Sequence, residues 1–184
     1  MFSERDRWNA KFLAGEAQSA EPDPLLVEAC ASLPPGNALD LAGGAGRHAL
    51  WLAQRSWQVL LTDGSDEGLA LAAQRAAESG VTLTLRRESA AETMASASQH
   101  HARFDLLVVF WFLVREHFAD LPTLLKPGGR LVYKTWTADH PRFTQGHSPR
   151  YALQPGELGA AFPALATILD REANGVAELV ARVR

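Results

Sequence analysis

Ala38-Leu39-Asp40-Leu41-Ala42-Gly43-Gly44-Ala45-Gly46-Arg47 is the stretch whose reading decides the fold. Its first half is a short apolar run and its second half a cluster of glycines. Arg47 to Arg55 then continues with Ala49, Leu50, Leu52 and Ala53 at helical spacing. The pattern predicts a buried strand, a glycine loop and a helix in direct succession.

Working outward, the same alternation repeats. Leu25 to Leu33 has helical spacing, with Pro24 suited to the first turn. Trp57 to Thr62 reads as a strand that stops at Asp63-Gly64. Ser65 to Ser79 is Ala-rich and helical, with Gly80 as its C-terminal stop. Val81 to Arg86 alternates apolar and polar residues, which suits a strand near an edge, and Ser89 to His101 reads as a helix plus loop. Phe104 to Phe110 is almost wholly apolar, as a strand covered on both faces should be. Phe118 to Leu125 predicts a short helix ended by Pro127-Gly128-Gly129, and Arg130 to Trp136 a fifth strand. Strand and helix in turn argue for right-handed β-α-β units and a parallel sheet. Leu165 to Arg171 and Ala177 to Arg184 then read as two strands joined by Asn174-Gly175, a hairpin turn signal. The expected class is α/β: a Rossmann-like, doubly wound, mostly parallel seven-stranded sheet with an antiparallel C-terminal hairpin, in one domain over residues 1–184.

Composition narrows the function classes. Of 184 residues 47% are hydrophobic and 21% charged, an ordinary globular balance. No apolar run approaches the roughly 18 residues of a membrane span, and the charged start, Met1 to Arg7, does not resemble a secretory signal. The one cysteine, Cys30, cannot form an internal disulfide, which fits a reducing cytosol and a cytoplasmic protein. A net charge of -3 with dispersed Lys and Arg argues against a nucleic-acid partner. The six histidines show no zinc-type spacing, so no metal is expected, and no Gly-x-Ser-x-Gly elbow supports a hydrolase.

Two ligand classes use a glycine loop of this kind. A dinucleotide sets its pyrophosphate on the helix N-terminus, and Gly44-x-Gly46-x-x-Ala49 satisfies that pattern. S-adenosylmethionine carries no phosphate and sets its amino-acid end beside the loop. Asp40 separates the two: a carboxylate ahead of the glycines repels a pyrophosphate and attracts an ammonium. Asp63, at the end of the second strand, can accept hydrogen bonds from ribose hydroxyls of either ligand. The plain structural alternative is a tight turn without a ligand, with Asp40 capping the helix.

The sequence resembles the class I S-adenosylmethionine-dependent methyltransferases. Within them it is most similar to the small bacterial branch related to tellurite-resistance and thiopurine methyltransferases. The resemblance is carried by Trp8-Asn9-Ala10-Lys11-Phe12, by Leu33 to His48, by Trp51-Leu52-Ala53 and by Val59 to Ser65. It continues in Phe104 to Val109, Leu125-Lys126-Pro127-Gly128-Gly129 and Leu153-Gln154-Pro155-Gly156-Glu157-Leu158. The branch often has Cys-Gly-Glu-Gly-Arg-Asn where this chain has Gly43-Gly44-Ala45-Gly46-Arg47-His48, so an acidic contact to the sulfonium is missing at Ala45. The resemblance implies a lid over the cofactor from the first 24 residues, carrying Trp8 and Phe12 one helical turn apart; the alternative is an amphipathic helix packed on the core. It implies cofactor contacts from Asp40, Ala42, Gly43, Gly44, Gly46, Arg47, Asp63 and Gly64. An acid after the third strand is expected to face adenine, Glu88 first and Glu92 second. Phe110 and Trp111 follow the fourth strand at the expected active-site mouth, where a ring can meet a base or a cationic methyl donor.

Residues 136–153 form the expected substrate loop, with His140, Arg142, Phe143, His147, Arg150 and Tyr151. Arg142 and Arg150 suit an anionic acceptor; a solvated loop is the alternative. Should the acceptor be an oxygen or nitrogen nucleophile, Tyr133 and His140 are the candidate bases. The expected activity is methyl transfer from S-adenosylmethionine to a small-molecule acceptor, a thiol or metalloid oxyanion, by in-line displacement. An NAD-dependent oxidoreductase and a non-catalytic methyltransferase-like binding protein are the alternatives.

Overall fold

The computed structural model describes residues 3–16, 19–144 and 148–184, so His147 lies outside the described residues. Strands β1 (Asn37–Leu41), β2 (Gln58–Asp63), β3 (Thr84–Arg87), β4 (Phe104–Phe110), β5 (Leu125–Trp136), β6 (Leu165–Ala173) and β7 (Val176–Val183) form one sheet in the order β3-β2-β1-β4-β5-β7-β6. The first five strands run parallel, and β7 is antiparallel to both β5 and β6. Asn174 and Gly175 turn the hairpin with φ of 53° and 73°, the positive pair that a tight two-residue turn requires. The parallel sheet and its terminal hairpin agree with the sequence pattern.

Helices cover both faces. α2 (Pro24–Cys30), α3 (Arg47–Ala53) and α4 (Asp66–Glu78) lie on one, where Leu26, Leu52, Ala72, Leu61, Leu106 and Val108 form a core. α5 (Ala90–Gln99) and α6 (Glu157–Ala160) lie on the other with Met94, Leu107, Leu131, Tyr133 and Leu158. Alternate residues of β4 enter the two cores, which is why that strand is apolar throughout. Each fully buried leucine contributes roughly 1.5–3 kcal/mol. Local chemistry starts the helices: the Asp23 carboxylate accepts from Leu25 N–H ahead of α2, and Ser65 Oγ accepts from Gly68 N–H ahead of α4.

Two elements differ from the sequence reading. The third strand is Thr84–Arg87 rather than Val81 to Arg86, because Val81 N–H bonds back to Ala76 at the end of α4 before pairing with β2 begins. In place of a helix over Phe118 to Leu125 there are two 3-10 turns, Arg115–His117 and Leu121–Leu124, with Pro122 in the second. β5 then starts at Leu125, taking in the Pro127-Gly128-Gly129 segment through an irregularity opposite Phe104 and Leu106. Among the described residues no helix is long and apolar enough to cross a membrane.

The sheet order reverses between β1 and β4, whose following loops leave in opposite directions and open a crevice at the carboxyl ends. The backbone is strained on both sides of it. Ala42 after β1 and Trp111 after β4 have φ of 56° and 59°, a conformation that non-glycine residues adopt at a cost. The third wall is α1 (Glu4–Leu13), opened by a capping box between Ser3 and Asp6.

Candidate active site

The crevice deepens into a cavity of about 450 Å³, within the range of small-ligand sites. Its wall takes in the whole glycine loop from Ala42 to Gly46, then Arg47 and His48, the end of β2 with Asp63, Gly64 and Ser65, Glu88 after β3, and Phe110, Trp111 and Phe112 after β4. Glu4, Arg5, Trp8 and Phe12 of α1 close it from above.

Three carboxyl groups face this space from successive strands. Asp40 is 1% exposed. Its Oδ2 accepts from Ala49 N–H at 3.2 Å, inside the first turn of α3. It therefore caps the helix and lines the cavity at once. Its carboxyl fills the place where a side chain at position 43 would stand, since a Cβ on Gly43 would lie 2.7 Å from it. Burial pushes its pKa up to about 7, with neighbouring Asp63 adding to the effect and the Ala49 N–H and Arg47 opposing it. Asp63 accepts from Gly44 N–H at 2.9 Å and from Ser65 N–H at 2.7 Å, one bond to each oxygen. Burial raises its pKa and those two bonds lower it, burial prevailing. One lone pair on each oxygen is left for a ligand. Glu88 has a buried Oε2 with no partner among the described groups. A wall of carboxyl oxygens short of donors fits a ligand rich in N–H and O–H groups. It does not fit a pyrophosphate.

Helix α1 is held at three points. Ser65 Oγ donates to Asn9 Oδ1 at 2.6 Å, Arg5 pairs with Asp66, and the Phe12 ring, 5% exposed, sits over Gly44 and Gly68. Trp8 stands 6.1 Å from Phe12, ring to ring, on the cavity side.

The methyltransferase-domain family matches residues 38–129, half of the chain, from β1 through the glycine loop to the start of β5. The chain belongs to that family. It is an S-adenosylmethionine-dependent methyltransferase, and the donor-poor wall just described suits that cofactor. No curated protein matches the sequence. Among solved structures, TehB from Haemophilus influenzae is similar with a TM-score of 0.77 at 16% identity, over 95% of this chain and 66% of that one. The N-methyltransferase NodS from Bradyrhizobium japonicum, in complex with S-adenosylhomocysteine, gives 0.70 at 16% identity over 97% of both chains. A methyltransferase from Aquifex aeolicus gives 0.68 at 17% identity over the full length of both. At these identities the likeness establishes the fold, and it does so with the hairpin included.

Several residues singled out in the sequence lie away from the methyltransferase cavity. Tyr133 is wholly buried in the opposite core; its hydroxyl donates to Phe112 O at 3.0 Å, and burial pushes its pKa up, so it cannot act as a base. The His140 ring packs at a tilt against Trp136, 4.3 Å between centres, and Trp136 against Trp111 at 4.1 Å, so two rings separate it from the cavity. The Arg142 guanidinium sits 5.0 Å over the Trp136 ring. Arg150 bonds the Tyr151 hydroxyl, which also accepts from Arg7 of α1. Neither arginine lines the cavity. Glu92 is spent in a capping box with Ser89 at the start of α5. Two ring-bearing lining residues, His48 and Phe112, stand outside the set that the sequence assigns to the site. His48 is 3% exposed and packs 4.1 Å from Phe110, ring to ring; Phe112 extends the aromatic wall. Position in the first turn after the glycine loop was the signal available for His48.

Proposed function

We propose that this methyltransferase modifies a small soluble acceptor, of the thiol or metalloid-oxyanion kind, in the manner of the bacterial tellurite-resistance and thiopurine branch that its motifs resemble. The observation that carries the reading is the cover: α1 lies over the glycine loop and leaves about 450 Å³ beneath it, room for a cofactor and a compact acceptor rather than for a polypeptide or nucleic-acid segment.

In this reading residues 1–24 act as the lid, the chain is one domain, and residues 136–153 border the acceptor entrance. When bound, S-adenosylmethionine supplies an activated methyl group on a sulfonium. The Asp40 carboxylate and the backbone of Ala42 to Gly46 hold its amino-acid end, Arg47 flanks the loop, Asp63 and Gly64 hold the ribose, and Glu88 takes donors of the base. Phe110 and Trp111 wall the side toward the acceptor, where a ring face attracts a cation by roughly 0.5–2 kcal/mol. Trp8 and Phe12 exclude water. Alignment of donor and acceptor in such an enclosure can supply roughly 7–11 kcal/mol of barrier lowering.

The test has two stages. Thermal shift with S-adenosylmethionine, S-adenosylhomocysteine and NAD should show stabilisation by the first two alone. S-adenosylhomocysteine release is then followed over thiols, selenite, tellurite, phenols, a protein mixture and RNA. Release with small acceptors is expected; stabilisation by NAD alone, or release only with macromolecules, sinks the proposal.

A further inference from the structure

The cavity has two chemically different halves. Asp63 and Glu88 stand at the ends of β2 and β3, while His48, Phe110, Trp111 and Phe112 stand on the β4 side. Adjacent strands lie about 4.8 Å apart, so the ends of β3 and β4, three places apart in the sheet, are separated by about 14 Å. The acidic half suits ribose and base, which leaves the aromatic half for the acceptor. Of the four rings on that half, the His48 imidazole is the one with a nitrogen that can take a proton.

His48 is badly placed to take one. It is 3% exposed, its ring lies against Phe110, and its Nε2 is buried with no partner among the described groups. The charged groups facing it are Arg47, its neighbour on α3, and Lys134 on β5, both cations. Lys134 is itself paired with Asp23 and Glu178, and the Asp40 carboxyl is bound to Ala49 N–H beneath Gly43. Burial first, then Arg47 and Lys134, bring the imidazole pKa down to about 3. A neutral imidazole offers one donor and one acceptor, and no net charge.

We propose that His48 lines the acceptor subsite as an uncharged, specificity-determining wall, and that the site therefore selects nucleophiles that arrive ionised or soft, such as thiolates and metalloid oxyanions, over alcohols and ammonium groups that must give a proton to the protein. This rests on the methyl-transfer reading above. A lone pair on the acceptor forms the bond to the methyl carbon as the sulfonium carbon–sulfur bond breaks. Its electron pair stays on the departing neutral thioether, and no proton moves.

Two measurements test it. Ring-nitrogen NMR of the ligand-free protein between pH 4 and 9, with His48 assigned from His48→Gln, should show no titration of His48 above pH 5; a midpoint between 6 and 7 overturns the proposal. The pH dependence of kcat/KM is then compared for aryl thiols of graded acidity and for matched phenols. Each thiol should show one limb that follows its own ionisation, and the same limb should persist in His48→Gln. In that variant the acceptor KM should rise about tenfold, more in His48→Leu, while cofactor affinity by calorimetry stays within twofold. A limb common to all acceptors that vanishes in His48→Gln, or phenols turned over as fast as thiols, overturns it. Cofactor binding without release from any acceptor defeats the methyl-transfer reading and this proposal together, even where His48 proves neutral by NMR.

Discussion

The Phe12 ring occupies the space above Gly68 so closely that a Cβ there would stand 2.8 Å from it, and the same separation holds at Gly44. One aromatic side chain thus docks α1, the proposed lid, on both the glycine loop and the start of α4. Gly68→Ala should separate lid docking from folding. Alanine in a helix gains roughly 1 kcal/mol over glycine, so Tm should hold or rise. The ring must move, so S-adenosylmethionine affinity should fall about tenfold and protease cleavage near α1 should speed up. Unchanged affinity in calorimetry would show that Phe12 does not couple the lid to the cofactor.

With the proposed ammonium contact, Asp40 makes cofactor binding depend on pH. Its pKa of about 7 in the free protein must fall when an ammonium binds beside it, so binding releases a proton wherever the free group is protonated. Affinity should be full above pH 7 and weaken by up to tenfold per unit below it. Calorimetry in two buffers of different ionisation enthalpy at pH 6 should detect the released proton. Asp40→Asn should lose both the proton and the pH dependence. A flat affinity between pH 5.5 and 8 would remove Asp40 from the ammonium site.

Asp63 is a structural clasp as well as a proposed ribose ligand. Asp63→Asn leaves one carbonyl oxygen for two backbone donors, Gly44 N–H and Ser65 N–H. The unpaired donor should cost about 1–3 kcal/mol, or a Tm drop of roughly 2–12 °C for a chain of this size. Cofactor affinity should fall at least tenfold. Full stability in calorimetric unfolding would mean the loop does not need the clasp.

Lys134 is the centre of a half-buried ion network, 2.9 Å from Asp23 and 2.8 Å from Glu178, with its side chain 14% exposed. Lys134→Met strands two carboxylates and should cost about 3–5 kcal/mol, with part restored by adding Glu178→Gln. The sign with pH is set by Glu178. Its folded pKa lies below the ordinary glutamate value: burial raises it, but the bonds and charges of Lys134 and Arg171 together outweigh burial. Its contribution is present above pH 4.5 and disappears as pH falls through the folded value. Urea midpoints at pH 7 and 3.5 should differ less for Glu178→Gln than for the unaltered chain.

The strand-helix alternation and the terminal hairpin were legible because their signals are local: β1, β4 and the Asn174-Gly175 turn each announce themselves within a few residues. Asp40, Asp63 and Glu88 can be placed on the cavity wall from sequence because each sits at a strand end, where topology alone fixes which way it faces. Tyr133 and His140 were misjudged for the converse reason. Both are near strand β5, but alternation along that strand sends Tyr133 to the opposite core, and the packed Trp111 and Trp136 rings hold His140 at a distance. Arg142 lies over Trp136, a contact that no spacing rule anticipates. His48 carries no motif of its own, and its neutrality comes from Arg47 and from Lys134, 86 positions further along.

The position of β7 bears on how the molecule is made. It follows β6 in the chain yet pairs with β5 on its other side. During synthesis the five parallel strands and β6 leave the ribosome before the segment that must lie between β5 and β6. Until it arrives, the edge of β5 is open to pairing with other chains, and Lys134 waits for Glu178. Assembly from the first residue onward therefore cannot finish early, and a chain halted at Ala173 is a sticky intermediate rather than a smaller enzyme.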